Sequence, residues 1–202
     1  MTQFEPLHVV VFDLETRAMT TDVGGWEPLR AGKGGVSILV AHDSEAGEDY
    51  LFDDHTLEDF ARLVEQPGVV LVGFNSKWFD VSVVQGILGR TLRVKYHIDI
   101  FGLIKDALDR EGRTRERGWK LGDAALRSMG ITKSGSGASA PELAREGRWA
   151  ELITYCRHDV TLTRQLLDYI RRHGGVADRD GSLLELDIPD WLRLPPTAAL
   201  EG

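Results

Sequence analysis

The distribution of apolar runs along the chain predicts an α/β fold with one mixed five-stranded sheet flanked by helices. Two observations carry this. Short β-branched runs crowd the first half while helix-period patterns dominate the second, and the elements follow in the order β-β-β-α-β-α-β. A single mixed sheet with helical cover is the natural architecture for that order.

The segment His8-Val9-Val10-Val11-Phe12-Asp13 is nearly all apolar and β-branched, so it reads as a buried strand. Residues 18–35 hold Gly24, Gly25, Pro28, Gly32, Gly34 and Gly35 and read as a loop. Val36 to Ala41 and Asp49 to Phe52 read as two more strands, joined by a turn at Glu45-Ala46-Gly47. Leu57, Phe60, Ala61 and Val64 recur at helical spacing, which predicts a helix over 56–66 with Thr56 as N-cap and Pro67-Gly68 as its stop. Val69 to Phe74 is a buried strand, Trp78 to Leu88 a helix and Val94 to Ile98 a short strand.

Beyond this point helices dominate, at 99–110, 121–129 and 148–172. The last is the longest, and its apolar stripe runs through Trp149, Leu152, Ile153, Cys156, Val160, Thr163, Leu167 and Ile170. Residues 132–140 read as a flexible loop. Ser139-Ala-Pro-Glu142 is a capping-box pattern that opens a short helix. One domain is expected over 1–175, followed by a partly irregular extension over 176–202 that ends in a loose tail.

A length of 202 residues suits one such domain, and 42% hydrophobic content suffices for its core. The net charge of −8 argues against coating nucleic acid by bulk electrostatics, but not against gripping a few phosphates through metals. A single cysteine, Cys156, excludes an intrachain disulfide and a cysteine-rich zinc site. The N-terminal residues have no secretory pattern and no run reaches membrane-spanning length, so a cytoplasmic protein without membrane association is expected.

The chemistry lies in carboxylates beside apolar runs. Asp13 and Glu15 are two apart at a strand end, so strand geometry puts both on one face. An Asp ending a strand and a Glu opening a loop is the ordinary alternative. Tyr155 and Asp159 are four apart and share a helix face. Asp159 falls about 60° from the centre of the apolar stripe, which turns it inward at the edge of the core. Pairing with an arginine is the alternative there. Asp80 follows Trp78-Phe79 at a helix start, where complementing the helix dipole is its ordinary role, and Asn75 suits a turn after its strand. Jointly, Asp13, Glu15, Asp80 and Asp159 converge where strand ends meet two helices. Such carboxylates are costly unless their charge is compensated, and a pair of divalent ions would do so. The chain reads as a metal-dependent nuclease.

The segments FDLET, NSKWFD and YCRHD resemble the three motifs of the DEDD superfamily of 3′–5′ exonucleases. Tyr155, four residues before Asp159, resembles the DEDDy branch, and the spacing is similar to the proofreading domains of family B DNA polymerases. Gly89-Arg90 followed by His97-Ile98-Asp99-Ile100, and Trp119-Lys120-Leu121 ahead of a helix, also match. The resemblance covers about residues 7–172 and implies an RNase H-like fold and hydrolysis with two divalent cations, Mg²⁺ or Mn²⁺, about 4 Å apart. It implies that Asp13 bridges both ions, that Glu15 and Asp159 hold one, and that Asp80 helps hold the other. Tyr155 would orient or help deprotonate the attacking water, and Asn75 would steady the terminal nucleotide or the loop of Asp80. The loop at 17–35 departs from the family in being longer and richer in glycine.

Phe74, Trp78 and Phe79 suit either base stacking or the core. The basic run Arg110, Arg113, Arg115, Arg117, Lys120 suits either a phosphate-gripping flap or a solvated loop. Gly32-Lys33-Gly34-Gly35 lacks the Ser or Thr of a phosphate loop. Cys156 and His158 lie on different helix faces, which rejects a zinc pair. The leading expectation is a 3′–5′ exonuclease on single strands or 3′ ends, DNA favoured, with a replication or repair partner conceivable. The alternatives are an RNase H-like structure-specific endonuclease, which Tyr155 disfavours, and a non-catalytic binding module, which has no need of the carboxylate set.

Overall fold

The computed structural model describes residues 7–132 and 140–194. The N-terminal residues read for a secretory pattern, most of the loop at 132–140 with the Ser139 cap, and the tail from 195 lie outside the described residues. The chain divides into two compact units, Met1–Ile100 with Ser134–Thr161, and Phe101–Lys133 with Leu162–Gly202.

The first unit holds the expected mixed sheet of five strands: β1 (Val9–Thr16), β2 (Val36–Asp43), β3 (Glu48–Phe52), β4 (Val70–Gly73) and β5 (Tyr96–Asp99), in the order β3-β2-β1-β4-β5. β1 to β3 are antiparallel neighbours, and β4 and β5 run parallel to β1. The helices in chain order are α1 (Thr20–Val23), α2 (Trp26–Pro28), α3 (Leu57–Val64), α4 (Asp80–Leu88), α5 (Ile100–Arg110), α6 (Leu121–Met129), α7 (Ala140–Arg145) and α8 (Trp149–His173).

The period-2 pattern sets the faces of the sheet. Val10, Phe12 and Leu14 of β1 join Leu39, Ala41, Phe52 and Leu71 in a core with Leu57, Phe60, Ala61 and Val64 of α3 and Val83 and Val84 of α4. Burying each large apolar side chain contributes about 1.5–3 kcal/mol. Asp13 and Glu15 take the opposite face of β1, against the start of the long helix α8.

Several boundaries differ from the sequence reading. β1 runs on to Thr16, because β2 continues to pair with it after β4 has left, so Asp13 and Glu15 lie inside a strand rather than at its end. The expected loop at 18–35 is helical, made of α1, α2 and a wide turn at Leu29–Lys33. Gly32 serves close packing against α4. Gly86 of α4 meets the backbone of Ala31 and Gly32 at a distance that leaves no room for a Cβ, which explains a glycine inside a helix. Thr56 takes the N-cap position of α3 as expected, but its hydroxyl accepts from the Asp53 N–H at 2.8 Å rather than from the first turn of the helix. Trp78 and Phe79 precede α4 rather than start it. Trp149, expected in the core stripe, is exposed and lines a cavity of about 540 Å³ with Arg17, Ile38, Leu51 and His55.

The second unit contains most of α5, all of α6 and the later part of α8, while α7 belongs to the first. Gly174 onward reads as irregular in sequence, but a hairpin forms from β6 (Gly175–Ala177) and β7 (Leu183–Glu185), burying Val176 and Leu184. Among the described residues no helix is long and apolar enough to cross a membrane.

Candidate active site

β1 pairs with β4 only over Val9–Val11, and with β2 through Thr16. The stretch carrying Asp13 and Glu15 therefore lies beyond the end of the pairing with β4, the region of an α/β sheet in which ligands are commonly placed. A register shift between Glu15 and Thr16 marks the end of regular pairing, a feature that re-aims side chains beside functional sites.

The first turns of α8 lie over these carboxylates. Leu152, Tyr155, Cys156, Asp159 and Val160 are buried, and Asp159 is only 4% exposed. The inward orientation expected of Asp159 is thus observed. The Cys156 thiol donates to the Asp13 carbonyl oxygen at 3.4 Å and lies 3.6 Å from Oδ2 of Asp13. Burial pushes this thiol up, and the charge of Asp13 adds to the effect, so it stays protonated. Asp13, Glu15 and Asp159 offer oxygens that all lie within 4.8 Å of one another.

Tyr155 sits one turn before Asp159. Burial raises its pKa first, and the charges of Asp159, Glu15 and Asp13 raise it further, as does its hydrogen bond with Asp159. The phenol therefore keeps its proton and acts as a donor.

Asp80 stands apart from this trio. Its Oδ1 accepts the Leu14 N–H at 3.3 Å, satisfying a donor of β1 beyond the reach of β4. Burial pushes its carboxyl up to about 7, and the charge of Asp99 adds to the rise. Asp99 is absent from the site residues that the sequence suggests. It accepts the N–H groups of Asn75 at 2.8 Å and Lys77 at 2.9 Å, fixing the turn that leads to Asp80. Its signal in the sequence is its place directly after the short strand read over Val94 to Ile98. Asn75 occupies this turn at φ 64°, a left-handed conformation that asparagine tolerates better than most residues. Ser76 Oγ and His97 Nε2 are 2.9 Å apart, and burial pulls His97 down to about 4, which leaves it neutral.

The other candidates separate. Phe74 is half-buried and Trp78 exposed. Arg113 is not a free phosphate grip. It makes two hydrogen bonds to Asp178, at 2.5 and 3.0 Å, and further bonds to Glu116 and Glu111. Arg115, Arg117 and Lys120 are exposed, with the Arg117 carbonyl accepting a hydrogen bond from Arg179 and the Lys120 N–H bound to Asp123 at 3.0 Å. This basic segment belongs to the second unit, whereas Asp13, Glu15, Asn75, Asp80, Tyr155 and Asp159 all belong to the first.

Neither a protein-family profile nor a curated protein matches the sequence. Solved structures do resemble the fold. Exonuclease I in complex with the inhibitor BCBP aligns with a TM-score of 0.51 at 14% identity, over 83% of this chain and 41% of that one. A complex of exonuclease I with SSB-Ct aligns with a TM-score of 0.45 at 15% identity, over 83% of this chain and 44% of that one. The chain thus spans less than half the length of either. The first likeness is one of fold, and it agrees with the mixed five-stranded α/β sheet flanked by helices that the sequence predicts.

Proposed function

We propose that the chain is a 3′–5′ exonuclease of the DEDDy branch that hydrolyses single-stranded nucleic acid, DNA favoured, with two divalent cations. In this reading residues 1–175 form the exonuclease domain and 176–202 an extension. The observation that carries it is the gathering of Asp13, Glu15 and Asp159 within 4.8 Å, one helical turn from a protonated Tyr155.

The donor set fits the expected ions. It is made of oxygens only, partly or fully withdrawn from water, which suits Mg²⁺ or Mn²⁺. Bound there, the ions would polarise the scissile phosphate and neutralise its developing charge. Asp13, Glu15 and Asp159 would hold the first, and Asp13 with Asp80 the second. Because the Asp80 carboxyl is pushed up to about 7, loading its site displaces a proton near neutrality, so affinity rises with pH.

Tyr155 directs its O–H at the attacking water, and orients it or helps deprotonate it. Water oxygen attacks phosphorus and the bond to the leaving O3′ breaks. The O3′ takes up a proton, and a 5′-mononucleotide departs. Asn75 and Phe74, in the turn before Asp80, wall the 3′-terminal nucleotide, with Trp78 beside them. Arg113 is withdrawn from the substrate contacts because Asp178 holds its guanidinium.

The test compares linear and circular single strands, end-labelled where an end exists, with Mg²⁺ or Mn²⁺. Stepwise release of mononucleotides from the 3′ end of the linear strand, with the circle intact, is the expected result. Rapid nicking of the circle, lost in Asp13→Ala, would replace this reading by the endonuclease.

A further inference from the structure

Two tryptophans lie exposed side by side. Trp26 is 56% exposed and Trp78 is 43% exposed, with ring centroids 5.4 Å apart and planes at 57°. Phe79 meets the edge of Trp26 at 5.9 Å and is itself packed against the sheet core. The Arg30 guanidinium lies over the Trp78 ring, 4.7 Å from its centre, and Arg30 Nε is buried without a hydrogen-bond partner among the described residues.

This arrangement is held firmly. The segment carrying Trp26 and Arg30 buries Leu29, presses Ala31 and Gly32 against Gly86 and Ile87 of α4, and is tied to α7 by Asp22–Arg145 at 3.3 Å. A flexible surface loop would bury such indoles or let them move; this one presents them.

We infer that Trp26, Trp78 and Arg30 form a platform on which an unpaired base of a single strand stacks, with Arg30 beside its phosphate. The inference rests on the nuclease reading above and deepens it by assigning the preference for single strands to particular residues. Three observations select this occupant. Indole faces stack on any base, whatever the sequence. A guanidinium kept at an aromatic patch on a chain of net charge −8 complements a phosphate. Trp78 is also two residues from Asp80, a backbone reach of at most about 7 Å, and Asp80 touches β1 beside Asp13. Bases inside a duplex are already stacked on their neighbours and offer no free face, so the platform discriminates against them.

The experiment uses the full chain in excess chelator, so that binding is read without turnover. The probe is a short dye-labelled oligothymidylate, compared with a blunt duplex of the same length. Anisotropy gives affinity and intrinsic tryptophan fluorescence gives stacking. The wild type should bind the single strand more tightly than the duplex, with quenched tryptophan emission. Trp26→Ala should weaken strand binding about fivefold to a hundredfold, and Trp26→Phe should restore most of it. Strand binding by Trp26→Ala at the wild-type level, or equal wild-type affinity for strand and duplex, overturns the platform. A parallel assay of the wild type on bis(p-nitrophenyl) phosphate with Mn²⁺ separates the two readings. Without hydrolysis there, the nuclease assignment falls while a Trp26-dependent binding result still stands.

Discussion

Two carboxylates of this protein, each withdrawn from water, sit in opposite electrostatic company. Asp178 in the second unit meets the Arg113 guanidinium, which holds its carboxyl below the usual range. Among the described residues Asp80 in the first unit meets no such cation; burial and the charge of Asp99 push it up to about 7. On β1, Asp13 and Glu15 share a small volume with Asp159 of α8. An internal cation settles the first charge within the fold, and the result is a structural ion-pair network. In the second region burial and the neighbouring Asp99 charge let Asp80 take its charged form only at a cost in stability. The difference separates a carboxylate settled by a cation of the fold from one raised by burial and a like charge.

The largest effect should come from removing a member of the trio. Asp13→Ala or Asp159→Ala should abolish turnover while the fold survives, and should also erase the rise in melting temperature that Mn²⁺ gives the wild type. Full activity of Asp13→Ala, or of the wild type in excess chelator, would sink the two-cation reading. Next is Tyr155→Phe, which removes a donor and no ligand. It should lower the rate by roughly 10²–10⁴ and leave the Mn²⁺-dependent melting shift nearly intact. A loss of that shift as complete as in Asp159→Ala would mean Tyr155 has been misassigned.

The trio and the tyrosine are legible in the sequence because each sits on a strongly periodic element. Alternation along β1 sets Asp13 and Glu15 on one face, and the stripe of α8 turns Asp159 inward. α6 is legible to the residue, since its apolar period stops at Gly130, which takes the left-handed cap at φ 71°. What the sequence hides depends on distant partners. The bond from Leu14 to Asp80 spans 66 positions, that from Asn75 to Asp99 spans 24, and that from Arg113 to Asp178 spans 65. No local pattern announces such pairs. The segment 18–35 reads as a loop for a related reason. Its glycines look like loop punctuation, whereas Gly32 is matched to Gly86 on α4 and the two allow close packing.

Asp80→Asn sharpens the contrast through stability. A folded pKa near 7 against an ordinary value of 3.8 means the native state favours the protonated form. The stability tied to this group is therefore full below about pH 4 and is lost as pH rises through about 7. Asparagine keeps an oxygen for the Leu14 N–H and carries no charge. In chelator, Asp80→Asn should be more stable than the wild type at pH 8 by about 2–4 kcal/mol, with the gain fading toward pH 4. Thermal melts of both proteins across that range measure it, and equal melting temperatures at pH 8 would show that Asp80 is not strained in the native state.

Asp178→Asn should give the smaller effect, with the opposite slope. Its folded pKa is depressed by the hydrogen bonds from Arg113, against a modest opposing cost of burial. The stabilisation it supplies is present above the ordinary carboxylate pKa of 3.8 and disappears as pH falls through the lower folded value. Solvent screens this network more than the buried Asp80, because the Arg113 side chain is 29% exposed and Glu111 about half exposed. Asp178→Asn should thus melt below the wild type at pH 7 and approach it in acid, with added salt narrowing the gap. Nuclease turnover discriminates further. If Arg113 serves only this network, Asp178→Asn should leave the salt dependence of substrate binding unchanged. A steeper dependence would mean that the released guanidinium has begun to grip phosphate, and would return Arg113 to the substrate contacts.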